Sequence, residues 1–379
     1  MDLQLDKYRI DKAEEIITPA LVIYPEIVDA NILATLRLAG NDPNRWRPHI
    51  KTVKAAEILK QLMSHDVVNF KCATTLELLT ACQSGAADVL LAFPVVGANA
   101  RRTLAIARDH SKTRVSVLIE SGVQLEPWRD NQVGIFIDVN PGMNRTGIAP
   151  ERAPEIVEMA RSAGKQFRGL HYYDGHVSSF AASERENRAH AGYDRLMMVA
   201  DALISAGIAI QEIITSGTPA APSAMSYAKF RDQSFTHRIS PGTLVFNDMT
   251  SLGQFPVHGF APAALVLSTV VSHPAAGHIT CDAGHKSVSA DSGVPTCSVI
   301  GHPELTPLKP SEEHLPMQVE FEGRMPAIGE QLYLLPRHVC PSVNNFDEAM
   351  LVVGGRVRSV IPITARGHEN PLLRATPLV

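Results

Sequence analysis

Cysteine is scarce in this 379-residue chain: Cys72, Cys82, Cys281, Cys297 and Cys340 are odd in number and far apart. That excludes a disulfide framework and leaves reduced thiols that behave as small buried apolar side chains. An excess of one charge is also lacking. The 35 Lys and Arg nearly balance the 39 Asp and Glu, for a formal net charge of -4, and no basic run offers a footprint for nucleic acid or anionic lipid. No stretch approaches the roughly 18–20 uninterrupted apolar residues of a membrane span. The start, MDLQLDKYRI, alternates charged and apolar residues where a signal peptide needs an apolar core. What remains is a soluble, cytoplasmic protein whose partner is a small molecule, with no nucleic acid and no membrane.

The composition, 45% hydrophobic and 20% charged, is that of a folded globular protein. At about 150 residues per domain the length allows two domains, or one large barrel and an appendage. Between about residues 20 and 250, short apolar runs alternate with helical periodicity. The runs are ALVIY (20–24), the segment 49–51, VVNFKC (67–72), DVLLAF (88–93), VSVLIE (115–120), GIFIDV (134–139), FRGLHYY (167–173) and EIITSG (212–217); helical patterns fall at 55–65, 75–84 and 150–163. Eight β/α units predict a (β/α)8 barrel over residues 18–255. After residue 255 Pro and Gly become frequent, and AALVLSTVV (263–271), MQVEFEG (317–323), EQLYLLP (330–336) and AMLVVGG (349–355) succeed one another. They predict an antiparallel β domain formed by residues 256–379 together with 1–17.

Barrel chemistry gathers at the C-terminal ends of the strands. There Lys51, in the segment Arg47-Pro48-His49-Ile50-Lys51-Thr52, would project into the barrel mouth, where apolar surroundings make an amine competent to form a Schiff base. Without that setting it reads as a surface cation. His49 points to the same face of an extended segment. Two turns, Ser216-Gly217-Thr218 and Gly242-Thr243, have the composition of backbone nests that hold anions such as phosphate, and equally that of ordinary loops. Alternation along His338-Val339-Cys340 would put imidazole and thiol on one side, about 6–7 Å apart at the backbone. That donor pair suits Zn²⁺, although a core cysteine beside a histidine has the same spelling.

Eight motifs occur in one order: TPALVIY, RPHIKT, DVNPGMNRTGI (138–148), GLHYYDGH (169–176), TSGTPAA (215–221), SPGTLVFND (240–248), DAGHK (282–286) and HVCPSVN (338–344). Over residues 18 to 366 the chain resembles the D-threonine aldolase and D-serine dehydratase family of pyridoxal-phosphate enzymes, with an alanine-racemase-like barrel and a C-terminal β domain. The resemblance makes Lys51 the Schiff-base lysine, and brings Arg145 and Tyr173 to the cofactor. Ser216, Gly217, Thr218, Gly242 and Thr243 then bind its phosphate. A divalent metal, zinc by preference over manganese or magnesium, falls on His338 and Cys340. His-x-Cys resembles the zinc-dependent dehydratases, whereas His-x-Asp and the flank after Pro341 resemble the aldolases.

The reaction expected is a lyase reaction on D-3-hydroxy amino acids. Dehydration to a keto acid and ammonia leads, and retro-aldol cleavage to glycine and an aldehyde is the alternative. For the latter the family carries a histidine a few residues past the tyrosine; His176 stands closer than that, and Ser179 stands nearer the usual place. A racemase would need a second base, for which Tyr333 is the tyrosine after residue 255, and a bare cofactor carrier would lack the β domain. Asp282, His285, Lys286, Glu313 and His314 also resemble segments near the family's active site, and the family implies a homodimer.

Overall fold

The computed structural model describes residues 4–256, 258–320 and 324–372. The chain falls into two compact units. One is built on Met1–Thr35, Thr52–Glu57 and Thr243–Arg366, the other on Leu36–Lys51, Ile58–Gly242 and Gly367–Val379.

ALVIY does form a strand, β1 (Ala20–Ile23), but it belongs to the first unit and not to the barrel. The barrel strands are β2 (Asn69–Cys72), β3 (Asp88–Leu91), β4 (Arg114–Ile119), β5 (Gly134–Asp138), β6 (Phe167–Tyr172), β7 (Glu212–Thr215) and β8 (Thr236–Ile239). They are hydrogen-bonded in that order, all parallel. Their near-continuous apolar text follows from burial on both faces, as parallel strands require.

The expected strand at 49–51 is reduced to two single bridges, Trp46 to Ile239 on β8 and His49 to Lys71 on β2, both parallel. The Arg47 N–H donates to the Ile239 carbonyl at 2.9 Å, the Lys71 N–H to the Pro48 carbonyl at 3.0 Å, and the Ile50 N–H to the Lys71 carbonyl at 2.8 Å. These bonds close the seven strands into a ring. Pro48 has no N–H to extend the ladder, so the closing segment never becomes a regular strand. The helices Thr75–Gln83 and Ala153–Ala163 stand where periodicity put them; the Thr74 hydroxyl caps the first by accepting the Glu77 N–H at 3.1 Å.

Inside the ring two layers differ in character. At the N-terminal ends of the strands Arg47, Asp88, Arg168, Glu212 and Arg238 form a buried ion cluster. Above it lies an apolar layer of Leu90, Leu118, Phe136 and Ile214. The ion layer anchors the barrel floor and leaves the C-terminal ends free for chemistry.

The other unit carries β9 (Ala264–Ala275), β10 (His278–Cys281), β11 (Cys297–Val299), β12 (Leu305–Pro307), β13 (Leu315–Val319), β14 (Gln331–Pro336), β15 (Glu348–Val353) and β16 (Arg356–Pro362). The order is β12-β13-β10-β9-β1-β15-β16, with β14 joining β9 to β11. The pairing is antiparallel apart from β1 with β15, which is parallel, so the sheet is mixed where an antiparallel one was expected. The end of the predicted run 317–323 lies outside the described residues. Val266, Val270, Ile279, Met317, Leu332 and Leu334 are among the buried side chains that hold this sheet together.

Candidate active site

At the C-terminal ends of the barrel strands a cavity of about 170 Å³ is lined by His49, Lys51, Lys71, Arg145, His171 and Tyr173, with Ala73, Ala92, Phe93, Pro94 and Thr146. Size does not single it out, since a hollow of about 1030 Å³ lies on the mixed-sheet unit. Its chemistry does: two amines, two imidazoles, a guanidinium and a phenol converge on one small volume.

Four residues expected at the site therefore meet in it. Lys51 is exposed in the turn after the closing segment. His49 Nδ1 accepts the Lys51 backbone N–H at 3.3 Å, which places the imidazole proton on Nε2. The Arg145 guanidinium lies 4.7 Å from the Tyr173 ring centroid, so each side chain fixes the other's orientation. The loop that carries Arg145 is tied to the barrel by Thr146, whose hydroxyl donates to Asp138 Oδ2 at 2.7 Å.

His176 is not in this cavity. It sits in the 3-10 turn Gly175–Ser179, its ring 6.3 Å from that of Phe180. Its Nδ1 is buried without a protein partner among the described residues, and burial holds its pKa below the ordinary histidine value. His176, expected as a catalytic residue, is therefore placed in the turn after Tyr173 and not among the residues that line the cavity.

The nest expected at Ser216-Gly217-Thr218 follows β7. Ser216 has a left-handed φ of +59°, and its buried Oγ has no partner among the described residues. A Cβ on Gly217 would stand 2.7 Å from the Tyr173 ring, and one on Gly242 would strike the His49 carbonyl. An orphaned hydroxyl, and glycines that let backbone approach Tyr173 and His49, form a cradle fit for a phosphorylated aromatic cofactor. Thr243 belongs to the other unit, its Oγ1 3.7 Å from Cys340 Sγ.

His338 and Cys340 are not on an extended segment as alternation predicted. His338 is the N-cap, with β-region backbone, of the short helix Val339–Val343 that contains Cys340. The helix starts there because Asp248 accepts the Val339 N–H at 3.1 Å, and Pro341 is tolerated in a first turn. The two side chains still hydrogen-bond one another. His338 Nδ1 is held by Asp291 Oδ2 at 2.7 Å, and the Thr52 hydroxyl is 3.1 Å from Cys340 Sγ. Burial would lower the His338 pKa, but Cys340 and Asp291 push it up to about 9. Among the described residues no set of three or more His, Cys, Asp or Glu gathers as a metal site. The pair alone offers one imidazole, oriented by a carboxylate, and one thiol, a donor set that fits zinc with further positions left to small ligands.

Asp282 is absorbed structurally: it accepts from the Ser268 hydroxyl at 2.7 Å and the Thr269 N–H at 2.9 Å. Lys286 pairs on the surface with Glu312 at 2.7 Å and Glu313 at 3.0 Å.

The sequence reading missed Lys71, His171, Asp138 and Ser240. Lys71, on β2, donates to Ser240 Oγ at 2.6 Å and reaches His171 Nε2 at 3.3 Å. His171 Nδ1 lies 2.7 Å from Asp138 Oδ1. The available signal was a charged or imidazole residue near the C-terminal end of an otherwise apolar parallel strand, in NFKC, GIFID and FRGLHY.

A family model described as "Alanine racemase, N-terminal domain" matches residues 24–248. A second, "Putative serine dehydratase domain", matches residues 263–352. The chain is 27% identical over 380 residues to a D-threonine aldolase of Arthrobacter sp, covering 95% of each. It superposes on the crystal structure of D-threonine aldolase from Filomicrobium marinum with a TM-score of 0.83 and 26% identity, over 93% of this chain and 96% of that one. For D-threo-3-hydroxyaspartate dehydratase from Delftia sp. HT23 the TM-score is 0.79 at 20% identity, over 95% of this chain and 100% of that one.

Proposed function

The chain belongs to the family of the alanine racemase N-terminal domain, and on that premise we propose that it is a pyridoxal-phosphate-dependent lyase that dehydrates D-3-hydroxy amino acids to keto acid and ammonia. The observation that carries the reading is the cavity at the barrel mouth, where Lys51 stands beside His49, Arg145 and Tyr173 and near a nest with an orphaned buried hydroxyl. Relatives named as D-3-hydroxy amino acid aldolases and a dehydratase support the substrate class.

Pyridoxal phosphate, when bound, supplies the electron sink for a carbanion at Cα. This chain's residues do the rest. Lys51 would hold the cofactor's aldehyde carbon and, once released by substrate, take the Cα proton. Arg145, whose guanidinium stacks on Tyr173, would hold the cofactor's phenolic oxygen and supply fixed positive charge to it. Ser216, Gly217, Thr218 and Gly242 would hold the phosphate through backbone N–H groups and the free Ser216 hydroxyl. In the other unit His338 and Cys340 would hold a divalent metal, zinc by preference, which supplies Lewis-acid chemistry for an oxygen ligand. Thr243, on that unit, lies against Cys340 and is better read as packing the thiol.

Retro-aldol cleavage is the second reading, favoured by the 27% and 26% identities to D-threonine aldolases. Racemisation has less support: the Tyr333 hydroxyl accepts the Ile10 N–H at 3.0 Å within its own unit, and burial raises its pKa. A homodimer in the cytoplasm completes the proposal on family resemblance; no helix among the described residues is long and apolar enough to cross a membrane.

Cofactor-loaded protein incubated with D-serine, D-threonine and D-threo-3-hydroxyaspartate, with and without chelator, decides between the reactions. Keto acid and ammonia are expected. Glycine with an aldehyde would replace dehydration by aldol cleavage, and no product from any of the three would sink the lyase reading. Cys340→Ala is expected to lower bound zinc and turnover together, by about 10-fold or more in metal affinity; unchanged zinc content by elemental analysis would refute the ligand pair.

A further inference from the structure

Lys71 is the one amine of the cavity that the proposed mechanism leaves unused. It is 1% exposed, yet it lines the same small volume as Lys51. Two acceptors hold its ammonium: Ser240 Oγ at 2.6 Å and His171 Nε2 at 3.3 Å. The Ser240 hydroxyl donates to the Ser216 carbonyl at 2.7 Å, so its lone pair faces Lys71. His171 Nδ1 is engaged by Asp138 at 2.7 Å. A neutral imidazole that donates from Nδ1 to Asp138 and accepts at Nε2 satisfies both of its partners, and among the described residues the third hydrogen of Lys71 has no protein acceptor. The Tyr173 ring centroid lies 5.4 Å from Nζ.

We propose that Lys71 is the second proton carrier of this pocket, a catalytic acid–base residue working beside Lys51. The assignment rests on the lyase reading. Dehydration must move two protons. The Cα–H bond breaks and its proton goes to the Lys51 amine. The Cβ–O bond breaks with its electron pair, and the oxygen needs a proton to leave as water. The Lys71 ammonium supplies that proton and becomes an amine, and the proton on Lys51 passes to it, restoring both groups with a net loss of one water.

The charges around Lys71 suit a group that changes state. Burial lowers its pKa to about 7, and Lys51 and Arg145 act in the same direction, while Asp138 and Asp174 oppose them. His171 stays neutral because burial and Lys71 both disfavour its cation. A lysine poised near neutrality can both give and take a proton, which an ordinary lysine at about 10.4 cannot do efficiently.

Lys71→Met and Lys71→Arg test the assignment, the second keeping charge and donors while removing the ability to deprotonate. Both are expected to lower kcat about 10²–10⁴-fold, with KM little changed, and to erase an ionisation near neutral pH from the kcat profile, while borohydride still fixes the cofactor on Lys51. A kcat within roughly threefold of the parent and an unaltered profile in both variants would overturn it. A readout independent of turnover is ¹³Cε-lysine NMR of the apoprotein. One resonance titrating around 7, and missing from Lys71→Met, is expected even if the substrate class is wrong. If every lysine of the parent titrates near 10.4, Lys71 is not the carrier, whatever the reaction proves to be.

Discussion

Lys51→Ala is expected to give a folded chain that no longer fixes pyridoxal phosphate after borohydride treatment and whose turnover falls by more than about 10³-fold. The side chain is exposed, and truncating an exposed side chain ordinarily changes stability by only about 0.5 kcal/mol. Folding therefore survives, as circular dichroism would register. The chemical loss is large because no other group occupies this position. His49 shares the segment but is an imidazole, and Lys71 is buried between Ser240 and His171. The backbone nest after β7 should still hold the phosphate without a covalent bond, so the variant would bind the cofactor more weakly yet measurably. Mass spectrometry of the reduced, digested protein locates the attachment point. The parent should carry the pyridoxyl group on the peptide containing Lys51, and the variant should carry none; a label on Lys71 in the parent would move the cofactor to the other amine.

How far the fold could be read depended on what each strand buries. VVNFKC, DVLLAF, VSVLIE and GIFIDV were legible because strands covered on both faces spell near-continuous apolar runs. Thr236–Ile239 was not, since its interior positions are polar: His237 stacks on Phe230 with ring centroids 4.0 Å apart, and Arg238 enters the ion cluster. ALVIY spells a buried strand in any sheet, for Val22 and Ile23 are 0% exposed. Its place was decided by pairing with Leu265 and Leu267 far along the chain, which no local pattern records. One strand too many at the start and one missed at the end left the count of eight intact while shifting its phase by one. Of the residues that line the cavity, Lys51, Arg145 and Tyr173 were named through motif resemblance and His49 through alternation along its segment. The relay behind them was hidden because Lys71 and His171 lie inside strand text, where periodicity counts them only as interruptions.

Glu212→Gln is expected to be the most destabilising single change in the barrel, by about 3–5 kcal/mol, because it removes one partner of a buried ion pair and leaves the others charged. Arg47 is 0% exposed and grips Glu212 through two bonds, Nε to Oε1 at 2.7 Å and Nη2 to Oε2 at 2.9 Å. Arg238 also donates to Glu212, and Arg47 reaches on to Asp88 at 2.8 Å, where Arg168 binds from the other side at 2.6 Å. Three guanidiniums thus share two carboxylates. Losing one carboxylate leaves three buried cations against a single anion, a larger penalty than the loss of one hydrogen bond. Replacing Arg47 and Glu212 together by Met and Leu should recover much of the loss, since apolar groups of similar volume need no partners; chemical denaturation of the parent, the single variant and the double variant measures it, and a single-variant loss below about 1 kcal/mol would show the cluster to be dispensable. The same cluster sets the response to acid. Burial would raise the Asp88 pKa, but Arg47 and Arg168 overcome it and hold the carboxyl well below the usual carboxylate range. A folded pKa below the unfolded value of 3.8 means that the unfolded chain binds the proton first. Asp88 therefore contributes its full stabilisation above about pH 4 and loses it progressively as pH falls towards its folded value. Charge removal at Asp88 by Asp88→Asn should flatten that acid limb, and an acid transition left unmoved would remove the cluster from the cause.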